Sequence, residues 1–401
     1  MRSSIQDLAI FGASPAFIEK LHVGRPNIGN RRKLLERFND ILDRKWLTNA
    51  GKYVQELERC VAEMVGVRHC ITICNGTVAL EIATRAAGLT GEVIMPSMTF
   101  IATAHALQWQ QITPVFCDID PKTYNLDPDR VEEMITPRTT GILGVHLFGR
   151  PCNVGALKDI ARRRNLKLLF DAAHAFGCSH KGRMIGSFGD AETLSFHATK
   201  VLNTFEGGAI VTNDDELAAK IRLMKNFGFA GYDNVIYIGT NGKMSEVSAA
   251  MGLTGLESLQ EFIDANRCNY KQYEHALQGI TGVQLMTYDE TERCNYQYIV
   301  LEVDEQTIGI SRDQLVQILH AENVLARRYF YPGCHNMEPY RSYFPHARLV
   351  LPETERLVGR LLCLPNGTSV SDQNVKKVCN IITLVSRYAQ EIQKHLVRSA
   401  D

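Results

Sequence analysis

Two periodicities divide the chain. Residues 31–43 (RRKLLERFNDILD) and 52–65 (KYVQELERCVAEMV) repeat apolar positions at three- and four-residue intervals, which predicts two amphipathic helices. From residue 69 the texture changes. Short apolar runs at 69–74, 92–95, 113–116, 140–145, 167–170, 193–196 and 209–212 alternate with helix-period segments, one starting near Thr77 and one running through His105. Strands that alternate with helices and read as nearly continuous apolar runs predict a mostly parallel sheet covered on both faces. This α/β unit spans about residues 30–250.

Beyond Met251 the pattern is different. A helical stretch from Glu246 to about Cys268 leads into strand-like 282–286 and 296–303, a helix near 312–322 and a helical close over 371–397. Hairpin-like strands mixed with helices predict a smaller α+β domain over 251–401. The first 29 residues are expected to pack with that domain or at a subunit interface. There is no internal repeat and no low-complexity segment.

Composition narrows the class. Of 401 residues, 45% are apolar and 22% charged, as in ordinary soluble globular proteins, which argues against disorder and small disulfide scaffolds. Lys plus Arg and Asp plus Glu both total 44, so there is no basic excess of the kind a nucleic-acid binder carries. The runs Arg31-Arg32-Lys33 and Arg162-Arg163-Arg164 have helical neighbours and read as solvated helix faces. The 11 cysteines include no C-x-x-C pair, and Cys74, Cys117 and Cys363 lie inside apolar runs. Free thiols in a reducing cytoplasm are the expectation. No segment approaches the roughly 20 apolar residues of a membrane span. Residues 8–17, following Arg2, faintly resemble a signal peptide, but Asp7 interrupts the start and the cysteine usage argues against export.

Parallel α/β sheets bind ligands outside the carboxyl ends of their strands, so the residues at those ends matter most. Cys74-Asn75-Gly76-Thr77 joins a strand to a helix, and small residues there free the first helical N–H groups for a phosphate. It reads equally as an ordinary capped Asn-Gly turn. Pro96-Ser97-Met98-Thr99-Phe100 offers an aromatic ring for a flat ligand, or a core phenylalanine. Asp171-Ala172-Ala173-His174 follows the strand LKLLF, so Asp171 stands at a buried strand end and needs a partner such as a protonated ring nitrogen. The ordinary alternative is a helix cap with a core histidine. Ser195-Phe196-His197-Ala198-Thr199-Lys200 and Glu206-Gly207-Gly208 come next. A desolvated lysine there can form a Schiff base with an aldehyde, although most lysines are merely solvated. Gly239-Thr240-Asn241-Gly242-Lys243-Met244 precedes a long helix. No G-x-x-x-x-G-K-[ST] or G-x-G-x-x-G follows a strand, which removes support from triphosphate and dinucleotide sites. His174, Cys178 and His180 match no usual structural zinc spacing.

The order of these signals (phosphate turn, aromatic, Asp-x-x-His, Ser-x-His-x-x-Lys) resembles the fold-type-I pyridoxal-phosphate enzymes, and most of all the DegT/DnrJ/EryC1/StrS family of sugar aminotransferases. The resemblance extends from Leu47-Thr48-Asn49 to Leu364-Pro365. It implies that Lys200 anchors pyridoxal 5′-phosphate and shuttles the proton, and that Asp171 pairs with the ring nitrogen. It further implies that His174 contacts the ring oxygen, that Phe100 stacks on the ring, and that Gly76, Thr77 and Ser195 bind the phosphate. Asn241 matches an asparagine that reaches the phosphate of the neighbouring subunit, which implies a homodimer with shared active sites. Relatives often carry Asn-Tyr-Arg-Met where this chain has Asn241-Gly242-Lys243-Met244. Tyr331-Pro332-Gly333-Cys334-His335 resembles a Tyr-Pro-x-x-His stretch near the sugar-nucleotide site, so His335 is expected to touch substrate.

The activity implied is transfer of an amino group from L-glutamate to a keto-sugar nucleotide. The acceptor implied is dTDP-4-dehydro-6-deoxy-D-glucose, giving dTDP-4-amino-4,6-dideoxy-D-glucose, with a 3-keto sugar as nearest competitor. Dehydrating relatives have histidine in place of the lysine, and cysteine desulfurases use a Ser-x-His-Lys spacing; Lys200 and its spacing separate this chain from both. A non-catalytic regulator on the same scaffold would be expected to lose Lys200, Asp171 and Ser195, all of which are intact.

Overall fold

The computed structural model describes residues 2–398. All seven apolar runs form strands of one sheet: β1 (His69–Ile73), β2 (Glu92–Pro96), β3 (Thr113–Cys117), β4 (Thr139–Val145), β5 (Lys167–Asp171), β6 (Ala191–Ser195) and β7 (Gly208–Thr212). Their spatial order is β1-β7-β6-β5-β4-β2-β3. Strand β7 runs antiparallel to both β1 and β6, and every other pairing is parallel. All strands but β7 therefore run the same way and point their six carboxyl ends to one side, where the site residues gather. Apolar clusters on the two faces explain the uniform hydrophobicity of the runs: Ile71, Ile73, Val93 and Leu143 face one helical layer, and Cys70, Leu194, Ala209 and Val211 face the other.

Four helices frame the site: α1 (Arg31–Arg44), α2 (Lys52–Val65), α3 (Gly76–Ala86) and α4 (Ile101–Gln108). Helix α2 begins at Gly51 with no side-chain cap of its own. Its first N–H groups instead donate to the buried Glu246 carboxylate, from Tyr53 at 3.1 Å and Val54 at 2.8 Å. The long stretch expected from Glu246 breaks at Ser258 into α5 (Glu246–Glu257) and α6 (Leu259–Leu277). Ser258 sits near ψ 7°, outside helical geometry, and its N–H turns back to Gly255 and Leu256.

The smaller sheet is antiparallel: β8 (Val283–Leu285), β9 (Ile299–Val303) and β10 (Leu361–Leu364). Its core also takes in Ile5, Leu8, Phe17 and Leu21 from the N-terminal segment. The C-terminal part is not wholly separate. Cys334, Tyr340 and Leu351 fold back and join the apolar cluster of the large sheet, because the chain after Phe330 crosses to the Ser97 loop, where the Cys334 N–H donates to the Ser97 carbonyl at 2.9 Å.

Candidate active site

At the carboxyl ends of the strands lies a cavity of 780 Å³, lined among others by Gly76, Thr77, Phe100, Asp171, His174, Ser195 and Lys200. Six separate elements of the sequence converge there.

The turn after β1 is built to hold an anion. The Asn75 side chain accepts from the Val78 N–H at 2.8 Å and so caps α3. That leaves the N–H groups of Gly76 and Thr77, the first two residues of the helix, directed at the cavity with the positive end of the helix dipole behind them. Gly76 is required by close approach. A Cβ at this position would lie 3.0 Å from Ser195 Cβ and 3.2 Å from its Oγ. Ser195, at the end of β6, therefore brings a hydroxyl to the same spot.

Asp171 ends β5, 6% exposed. Its Oδ1 accepts from the Ala173 N–H at 3.1 Å and its Oδ2 from Thr103 Oγ1 at 2.9 Å. Thr103 is held in turn by Thr99, hydroxyl to hydroxyl, at 3.0 Å. Burial raises the Asp171 carboxyl above the usual carboxylate range, against the pull of its two donors and of the Lys200 charge. A cationic partner would relieve that desolvation. Phe100 caps the start of α4 and stands one helical turn from Thr103, so one face of α4 presents the ring to the cavity and the hydroxyl to Asp171. Phe100 is 57% exposed, and its ring lies tilted by 59° to that of Phe330, 6.3 Å between centroids, with much of its surface open to the cavity.

Lys200 follows β6 through a turn in which its N–H donates to the His197 carbonyl. Gln297 brackets it, donating to the Thr199 carbonyl at 2.5 Å and accepting from the Val201 N–H at 3.1 Å. The amine meets the Tyr298 hydroxyl at 3.3 Å. Burial pushes the Lys200 amine down to about 8, opposed by the Asp171 carboxylate. An amine with that basicity has a neutral, nucleophilic fraction near physiological pH far larger than that of an ordinary lysine, although the protonated form still predominates below about 8.

His174 is 7% exposed, and its Nδ1 accepts from the Phe148 N–H at 3.2 Å. Burial and the Lys200 charge hold it well below the usual histidine range, so the ring is neutral and carries its proton on Nε2, as a donor into the cavity. Phe148 and Phe330 lie near-parallel to it, at centroid distances of 6.1 and 5.7 Å.

Two of the residues singled out in the sequence lie outside this group. Asn241 is exposed and does not line the cavity; it forms a bridge with Asn226, while the neighbouring Gly242 carbonyl accepts from the Cys74 N–H at 2.8 Å. That places its loop beside the anion turn but outside the cavity lining. His335 is 2% exposed, with Nδ1 on Ser97 Oγ at 2.6 Å and Nε2 on Glu355 at 2.6 Å, and it does not line the cavity. Both ring nitrogens are engaged within the chain, and the residue ties the 334–355 segment to the Ser97 loop. Conversely, Thr103, Gln297 and Tyr298 belong to the site without having been singled out. Thr103 was legible as the residue one turn after Phe100. Nothing in the sequence around Gln297 and Tyr298 separates them from an ordinary strand entry.

The family model for the DegT/DnrJ/EryC1/StrS aminotransferase family matches residues 29–383. A dTDP-4-amino-4,6-dideoxy-D-glucose transaminase of Shigella dysenteriae is 40% identical over 362 residues, covering 90% of this chain and 98% of that protein. A GDP-perosamine synthase of Caulobacter vibrioides is 36% identical, covering 90% and 97%. The crystal structure of DesI in the presence of its TDP-sugar product superposes with a TM-score of 0.95 at 50% identity, covering 99% of this chain and all of that one. The chain belongs to the DegT/DnrJ/EryC1/StrS aminotransferase family. Its architecture is that of the fold-type-I aminotransferases, a mostly parallel seven-stranded sheet with the smaller antiparallel sheet beside it.

Proposed function

We propose that the protein is a pyridoxal 5′-phosphate-dependent sugar-nucleotide aminotransferase. It moves the amino group of L-glutamate to dTDP-4-dehydro-6-deoxy-D-glucose, giving dTDP-4-amino-4,6-dideoxy-D-glucose. The observation that carries this reading is the meeting of the Lys200 amine and the Asp171 carboxylate in one cavity above the free N-terminus of α3. The choice of sugar is supported by the names of the Shigella relative and of the DesI complex.

The residues fit the cofactor by their own chemistry. Gly76, Thr77 and Ser195 make an anion cradle that a Cβ would fill. Asp171 is a desolvated carboxylate in want of a cation, and the open face of Phe100 offers a stacking surface. When bound, the cofactor supplies an aldehyde for the lysine and a protonated ring that accepts the electron pair left when a proton departs. Asp171 would hold that ring charge in place. Lys200 Nζ would serve as the base that takes the proton from the donor's α-carbon and as the acid that returns it, with the Tyr298 hydroxyl holding the amine and Gln297 fixing the backbone on either side. The Nε2–H of neutral His174 would be the donor to the cofactor's ring oxygen.

A second copy of the chain completes the site in this reading. The exposed apolar residues Phe227, Phe229, Ile236 and Ile238 flank the Asn241 loop and suit an interface that carries Asn241 to the partner's phosphate. Among the described residues, no helix is long and apolar enough to cross a membrane, and all cysteines are free thiols; the cytoplasm is the compartment we assign.

The test is to load the purified protein with pyridoxal phosphate, follow its visible absorption on adding L-glutamate, and then offer 3-keto and 4-keto sugar nucleotides separately. Conversion by glutamate and recovery of a 4-amino product, identified by mass spectrometry and NMR, is the expected result. Recovery only with 3-keto sugars would overturn the substrate assignment.

A further inference from the structure

The family-matched stretch begins at residue 29, yet the segment before it is part of the cavity wall. Glu322, wholly buried at the end of the helix Arg312–Ala321, clamps this segment. Its carboxylate accepts from Arg2 Nη2 at 2.5 Å, from the Ala9 N–H at 2.9 Å and from the Ala16 N–H at 2.6 Å. A buried carboxylate satisfied by three donors from one segment fixes that segment firmly, because release would strand the charge. The chain then runs as a short strand, Leu21–His22, parallel to Val324–Leu325. Gly24 closes against the residue before Lys200: a Cβ there would meet Thr199 Cβ at 3.0 Å.

Strand alternation decides what faces the cavity. Leu21 turns into the core, and His22 turns out beside Leu325 on the cavity wall, with Val23 and Gly24 following. His22 is exposed, and its ring makes no side-chain hydrogen bond among the described residues; a neutral imidazole offers one nitrogen donor and one acceptor. That pair matches a hydroxyl group, which both donates and accepts. The anionic functions of the two substrates have another partner on the same wall. Arg327 lines the cavity, and its guanidinium lies over the Tyr329 ring at 5.7 Å with no carboxylate partner among the described residues.

We propose that residues 2–24 form a fixed substrate wall and that His22 is a specificity-determining residue, hydrogen-bonding a hydroxyl of the hexose in the nucleotide sugar. This inference rests on the sugar-nucleotide reading above. It adds a contact for the sugar that lies outside the family-matched residues.

The test uses the holoenzyme and two probes, dTDP and dTDP-D-glucose, whose affinities are measured by calorimetry for the parent, His22→Ala and His22→Asn. His22→Ala is expected to bind dTDP-D-glucose about tenfold more weakly and dTDP unchanged. His22→Asn should recover part of the loss, and conversion of the bound cofactor by glutamate should match the parent. Equal affinity of the parent and His22→Ala for dTDP-D-glucose overturns the role of His22 alone, as does a parallel loss on dTDP. Failure of the parent itself to bind dTDP-D-glucose would instead retire the dTDP-sugar reading, and this inference with it.

Discussion

Thr103 Oγ1 donates to Asp171 Oδ2 at 2.9 Å, one turn along α4 from the Phe100 ring. The hydroxyl holds one oxygen of a carboxylate whose burial disfavours its charge, and so keeps that charge available for a cationic ring. Thr103→Val keeps the volume and removes the donor. A hydrogen bond to a charged group contributes about 1.5–3 kcal/mol, so pyridoxal phosphate should dissociate from this variant at least tenfold more readily. Thr103→Ser should stay close to the parent. Equilibrium titration followed by absorbance measures both.

Asp171→Asn keeps the size but not the charge: its amide oxygen can still accept from the Ala173 N–H, while its NH2 faces Thr103 Oγ1, which must turn to accept. Turnover should fall by at least about a hundredfold, the scale seen when one preorganised electrostatic partner is lost. The cofactor-free variant should melt no lower than the parent, because a desolvated charge has been removed. Steady-state kinetics and thermal unfolding test the two halves.

The Lys200 amine supplies a pH prediction. Below about 8 it is protonated and unreactive toward an aldehyde; above, it is neutral. The rate at which cofactor-free protein takes up pyridoxal phosphate should therefore rise with pH and level off above about 8. Asp171 raises the amine's basicity, so in Asp171→Asn the plateau should begin at lower pH. Stopped-flow absorbance across the pH range measures it.

Much of this site is legible in the sequence because its residues sit at strand ends. Asp171 and Ser195 end apolar strands and Gly76 and Lys200 lie in the turns just after them, and a parallel sheet brings all such ends to one side. Thr103, Gln297 and Tyr298 were not singled out, because their roles depend on how α4 and β9 are laid against β5 and β6. For His335 the local motif resembles a substrate-binding stretch, while the fold closes the Ser97 loop and Glu355 around the ring, a placement that no local spacing shows. The break at Ser258 escaped the helical periodicity because the apolar positions on its two sides remain in phase.

The placement of His335 is itself testable. His335→Ala removes a buried ring that joins Ser97 to Glu355, while Ser97 Oγ keeps the backbone N–H of residue 335 and the partly exposed Glu355 keeps Asn336 Nδ2. Loss of about 2–4 kcal/mol of stability is expected, from the cavity the ring leaves. KM for the sugar nucleotide should stay near that of the parent at temperatures where the variant is folded. Denaturant unfolding paired with steady-state kinetics separates stability from substrate contact.

The central claim is that the Lys200 amine is the group that binds the cofactor aldehyde and moves the proton. The most direct measurement is the visible spectrum of Lys200→Ala beside the parent after each is incubated with pyridoxal phosphate, reduced with borohydride and digested for mass spectrometry. The account predicts a reduced cofactor adduct on the peptide carrying Lys200 in the parent and none in the variant. An adduct on another lysine of the parent, with the Lys200 peptide unmodified, would contradict it.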